Sequence, residues 1–141
     1  MPKWLKVVLV VLAVGLMLCG VCSAGAYWWV DQNKEKLKGV GERAKAEGSA
    51  FAYEHDAEEC VDEGLRRLKE RSGIIDQAEH KLFLKACLEK AKRPETFCAD
   101  VPPKGELVQS AAWAVGRCIA KGHPDDQDCG RLMQAVAEAC R

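Results

Sequence analysis

Aromatic residues are scarce in this chain, at 6% of 141 residues, and four of them (Trp4, Tyr27, Trp28 and Trp29) flank one apolar stretch near the start. Few remain to build a large core. Whatever folds beyond that stretch is therefore small and gains from covalent staples. Net charge is also missing, at +0 overall. Residues 1–30 carry Lys3 and Lys6 but no acid, which leaves nineteen basic against twenty-one acidic side chains in the remainder. That balance supplies no basic footprint, so nucleic acid is excluded as an expected partner. No stretch alternates apolar and polar residues as a half-buried strand does, and the expected fold class is all-α. His-Glu-x-x-His, phosphate-loop, nucleophile-elbow and Ser-His-Asp arrangements are absent, so no catalytic, cofactor-binding or metal-ligating residues are assigned.

Charge is concentrated away from one segment. From Val7 to Val30 there are 24 residues without a charged side chain, mostly Val, Leu, Ala and Gly. As a helix this stretch covers about 36 Å, enough to cross a bilayer. Trp4 at one end and Tyr27, Trp28 and Trp29 at the other are the amphipathic rings expected at two membrane interfaces. Residues 1–30 are thus read as an anchor, with the bilayer as partner of residues 7–30. A cleaved secretory signal is the alternative, because Lys3 and Lys6 form a basic leader and Ala24-Gly25-Ala26 offers a cleavage site near Ala26. Large residues, Leu18 and Val21, precede Cys19 and Cys22, which argues against a lipidated cysteine. The basic residues Lys34, Lys36, Lys38, Arg43 and Lys45 outnumber those of the leader and, counted alone, favour a cytoplasmic C-terminus. The interspersed acids Asp31, Glu35 and Glu42 and the cysteine pattern favour the opposite orientation, with a cytoplasmic N-terminus and an extracytoplasmic C-terminal part, periplasmic in a bacterium.

Residues 31–49, interrupted by Gly39, Gly41 and Gly48, read as a charged juxtamembrane stalk or weak helix. Residues 50–141 read as a helical cysteine-rich domain, a four-helix bundle. Composition is helical from about Glu42 to Arg71, with Phe51, Ala57, Val61, Leu65 and Leu68 on one face and Ser72-Gly73 as the stop. Asp76 and Glu79 suggest a capped start for the second helix, with Ile75 as staple and Ala78, Leu82, Phe83, Ala86 and Cys87 facing inward. Pro94 ends it, and Pro102-Pro103 forces a corner. The third helix is expected over Glu106–Lys121, with Val108, Ala111, Ala112, Val115, Cys118 and Ile119 as its apolar stripe. The fourth places Cys129, Leu132, Met133, Val136 and Cys140 on one face, behind the acidic start Asp125, Asp126 and Asp128.

Six of the eight cysteines follow residue 31, with no Cys-x-x-Cys and no zinc-spaced histidines among them, which favours structural disulfides and an oxidising compartment. Cys129 and Cys140 lie about 16 Å apart along one helix, too far to bond to each other. Cys118 and Cys129 are equidistant from the His123-Pro124 turn, so that pair is assigned first. Cys60 and Cys87 are nearly equidistant from Ser72-Gly73, leaving Cys98 for Cys140. Cys87 with Cys98 and Cys60 with Cys140 is the competing arrangement.

Cys19-Gly20-Val21-Cys22 has redox-motif spacing but lies inside an apolar helix, where small packing residues are the plainer reading. His55 with Glu58 or Glu59, and His80 on the next helix, suggest a metal site that lacks a third ligand. His123 beside the aspartates lacks the glycine and distal glutamate of a calcium loop, so it reads as part of a capped helix start. Trp113 is the single tryptophan beyond the anchor and the candidate partner contact. The expected function is a non-enzymatic, membrane-tethered, extracytoplasmic interaction or structural module with an unknown protein partner. The alternatives are a secreted inhibitor or effector released near Ala26, and a thiol-redox or metal-dependent enzyme.

Overall fold

The computed structural model describes residues 3–71 and 73–141. Ser72, half of the expected Ser72-Gly73 stop, lies outside the described residues. The described chain is all-helical: α1 (Lys3–Phe51), α2 (Ala57–Glu70), α3 (Ile74–Lys90), α4 (Leu107–Ala120) and α5 (Gln127–Ala139), with no strand. It divides into two compact units, Met1–Lys38 and Gly39–Arg141.

The first unit holds the apolar stretch. Its best window has a mean hydropathy of 2.7, and none of it is buried. Length and composition suit a membrane span, and a signal sequence meets the same requirements. Trp4, Tyr27, Trp28 and Trp29 are all exposed at the ends of this stretch.

In the second unit α2 packs on α3, α3 on α5, and α5 on both α4 and α2. The core is formed by Val61, Leu65, Leu84, Leu88, Leu132, Met133 and Val136, with Phe97 from the corner segment. Phe97 sits in a turn closed by its N–H to the Pro94 carbonyl, a hydrogen bond of 2.9 Å. Cys60 bonds Cys87, Cys118 bonds Cys129 and Cys98 bonds Cys140, with Cα separations of 5.9, 6.0 and 5.5 Å. The first two bridges rivet the α2–α3 and α4–α5 hairpins, and the third ties the corner segment to the end of α5. Between the hairpins the joint is apolar packing edged by ion pairs, Lys81 with Glu138 on one side and Glu58 and Asp62 with Arg117 and Lys121 on another.

Several local expectations need correction. The helix expected to run from about Glu42 to Arg71 is interrupted between Phe51 and Ala57. Asp56 accepts a hydrogen bond from the Glu59 N–H while the Glu59 carboxylate accepts one from the Asp56 N–H, a reciprocal capping box that starts α2. The Ala57 N–H is drawn off to the Lys92 carbonyl, which a continuing helix would forbid. In α3, Asp76 is the third helical residue, not the cap, and its carboxylate accepts from the Gly73 N–H. Ala78 and Ile75 are exposed, whereas Glu79, His80, Leu84 and Leu88 join Phe83, Ala86 and Cys87 in burial. Helix α3 is covered from more than one side, so its burial is wider than a single stripe.

Residues 39–49, included in the expected stalk, belong to the second unit. There α1 is helical through Gly39, Gly41 and Gly48, and its buried or half-buried stripe is Val40, Gly41, Ala44, Glu47, Gly48 and Phe51. A Cβ on Gly48 would overlap the Phe83 carbonyl oxygen and come within 3.1 Å of the Cys87 nitrogen. Gly48 is thus the point where two helix backbones touch. Arg67 reinforces this contact: it donates to Glu47 and Glu63, at 2.8 Å each, and its guanidinium lies 3.8 Å over the Phe83 ring.

Candidate interaction face

Helix α4 owes its rotation to three inward pulls. Cys118 is held to α5 by its disulfide, Arg117 donates to Glu58 at 2.8 Å, and Lys121 pairs with Glu58 at 3.0 Å and Asp62 at 2.6 Å. Burial pushes the Glu58 carboxyl up, but hydrogen bonds from Arg117 and Lys121 outweigh it and hold the group below its ordinary range. Burial likewise pushes Lys121 down, and the bonds to Asp62 and Glu58 override it. The side chains of residues 117, 118 and 121 therefore face the core. The opposite side of the helix faces outward.

That outward side carries most of the residues expected to be its inner stripe, which is a correction. Leu107, Val108, Val115 and Ile119 are 82%, 83%, 55% and 57% exposed, and Ala111 and Ala112 are exposed with them. Of the expected stripe only Cys118 is buried, together with Ala114. Periodicity identified an apolar face correctly but assigned it to the wrong side. Two periodic sets coexist on α4, and the disulfide and the Glu58 and Asp62 carboxylates select the other one. No charged side chain lies between Leu107 and Ala120 except the inward Arg117. The exposed side of α4 is thus a contiguous apolar patch.

Trp113, the candidate partner contact, is half-buried and packs against the core cluster. Its indole Nε1 is enclosed without a protein acceptor. Beside it a groove of about 340 Å³ runs between α4 and α5, lined by Leu107, Ser110, Trp113, Met133 and Arg141 among others. Arg141 closes one end by donating to the Pro102 carbonyl and the Ser110 hydroxyl. Trp113 thus supports the interaction face from below.

The α4–α5 turn is built locally. Gly122, at φ +78°, donates to the Ile119 carbonyl, while His123 donates its N–H to the Cys118 carbonyl at 2.8 Å, the paired bonds of a Schellman motif. Asp126 then caps α5 by accepting from the Asp128 and Cys129 N–H groups, and His123 Nδ1 donates to its other oxygen at 3.1 Å. Burial pushes the Asp126 carboxyl up, and these donors more than compensate, leaving it lowered. The acidic run is a helix cap with a histidine buttress.

The histidines suggested as metal ligands do different work. His55 stacks on Phe51, with centroids 3.8 Å apart, and pairs with Glu59 at 3.3 Å. His80 is buried, and its Nε2 donates to the Arg71 carbonyl at 3.1 Å. Among the described residues no three His, Cys, Asp or Glu side chains gather around a metal-sized space. Cys19 and Cys22 are unpaired and exposed on α1. No family model, curated protein or solved structure matches this chain.

Proposed function

We propose that the chain is a membrane-tethered, extracytoplasmic interaction module, with residues 7–30 as its anchor and the outward face of α4 as its contact surface. The observation that carries this reading is the uncharged apolar face of α4, presented on a helical unit that is stapled by three disulfides. A small domain gains rigidity from such staples in an oxidising compartment, and a rigid helix face is suited to binding because little ordering entropy is lost. The ring-flanked apolar stretch supports retention in the bilayer. Release as a soluble factor is the second reading, favoured by Ala24-Gly25-Ala26.

Mass-tagged alkylation with and without reduction, on membrane and soluble fractions separately, tests the tether and the compartment. The proposal expects six thiols that appear only after reduction, in the membrane fraction, on a chain with an uncut N-terminus. The same six thiols in the soluble fraction on a chain beginning near Tyr27 would establish the secreted reading. Eight thiols free before reduction would place the domain in a reducing compartment and refute both.

A further inference from the structure

We infer that the outward face of α4 is covered by a second copy of this chain, α4 against α4, an inference that rests on the reading of α4 as a contact surface. Its charge pattern favours self-pairing. Between Leu107 and Ala120 the single charge, Arg117, is turned inward to Glu58, so two copies oppose each other without placing like charges in contact. The two ends differ in charge: Lys104 and Glu106 precede the helix, whereas the acidic run Asp125, Asp126 and Asp128 follows it, Lys121 being held by Glu58 and Asp62. In an antiparallel two-fold pairing, each start meets the other copy's end and the helix dipoles align favourably.

Shape points the same way. Ala111 and Ala112 are exposed between Leu107 and Val108 on one side and Val115 and Ile119 on the other, with Gly116 exposed beside Val115. A Cβ on Gly116 would meet nothing within 4 Å, so the surface there is open. Large side chains at both ends and small ones in the middle let two such helices approach closely and interdigitate.

Area sets the strength. The exposed apolar surface of this face is roughly 500 Å² per copy, so pairing buries at most roughly 1,000 Å², the lower edge of what a specific interface needs. Such an interface is weak between free molecules and becomes populated when both copies are confined to one membrane. A bilayer is the less suitable cover. A helix lying in the headgroup layer carries Lys or Arg along its polar border, and this outward face carries none.

The test uses the full chain in cell membranes, with benzoylphenylalanine incorporated in place of Ala112 or, as control, Glu89, which is exposed on α3. The expected result is a photo-adduct of twice the 15.5 kDa chain mass from position 112 but not from position 89. Val115→Asp should reduce it about tenfold, and Ile119→Lys should do the same. Six reduction-dependent thiols in each variant verify that it has folded. Adducts only with a different protein would overturn self-association and leave the interaction reading standing. Adducts only with lipid, or none at all, would overturn both. Equal dimer from positions 112 and 89, or dimer unaffected by both folded variants, would reduce the contact to collision and overturn the inference.

Discussion

Gly48→Ala and Gly39→Ala make the same chemical change in the same helix, and the structure expects opposite signs. At Gly48 the added methyl overlaps a backbone oxygen, that of Phe83, and crowds the Cys87 nitrogen, so no side-chain rotation relieves it. The helices must separate by about 1 Å, an overpacking cost of about 3 kcal/mol, partly offset by the gain of about 1 kcal/mol when alanine replaces glycine in a helix. A net loss of about 2 kcal/mol lowers Tm by about 10 °C for a unit of this size. At Gly39 nothing lies within 4 Å of the new methyl, so only the gain remains and Tm rises by about 5 °C. Thermal unfolding of the oxidised full chain in detergent, followed by circular dichroism at 222 nm, reads both. A Gly48→Ala chain at least as stable as the parent, with its three disulfides intact, would refute the close approach of α1 and α3.

Loop length orders the staples. Removing Cys98–Cys140, which spans 42 residues, by paired serine substitution should cost about 4 kcal/mol, against about 3 kcal/mol for the 11-residue Cys118–Cys129 bridge, measured by urea unfolding. The single change Cys129→Ser should also leave one new free thiol, at Cys118. Hydrogen bonds from Arg66, aided by Arg67 and opposed by burial, hold the Glu63 carboxyl at about 2, below its ordinary 4.5. A depressed carboxylate contributes stability that is complete above pH 4.5 and is lost as pH falls through 2. Because Arg66 is exposed, solvent screens much of that contribution, and the Tm difference between the parent and Glu63→Gln should shrink over this window. Arg93→Ala removes donors from the Leu88 and Ala139 carbonyls at the ends of α3 and α5. It should lower stability by about 1–2 kcal/mol and speed amide exchange at residues 136–140.

Local signals were legible wherever one residue type has one cheap use. The uncharged run from Val7 to Val30, the prolines at the corner, Gly122 at a helix end and the spacing of six cysteines follow from solvation, backbone geometry and reach, and each is visible without knowing the fold. Even the pairing of Cys118 with Cys129 and of Cys60 with Cys87 follows from equidistance, or near-equidistance, to a turn. The capping box of Asp56 and Glu59 is equally readable, three residues apart ahead of an apolar run, but the helical composition on both sides masks it. Phe97 gave no such signal, because a lone aromatic in a turn is buried only if a cavity awaits it.

What tertiary structure alone decided is which surface each element turns inward. Gly48 reads as a helix weakener in isolation and becomes a contact point only when Phe83 and Cys87 are brought beneath it. On α4 the two apolar stripes are equivalent to periodicity, and the choice lies with Glu58 and Asp62, far away in sequence, and with Cys129 across the next turn. Hydrophobic patterning records that a face avoids water, but it does not record what covers that face. The neighbouring helices supply the cover for Ala114 and Cys118, and they leave Val108, Val115 and Ile119 without any.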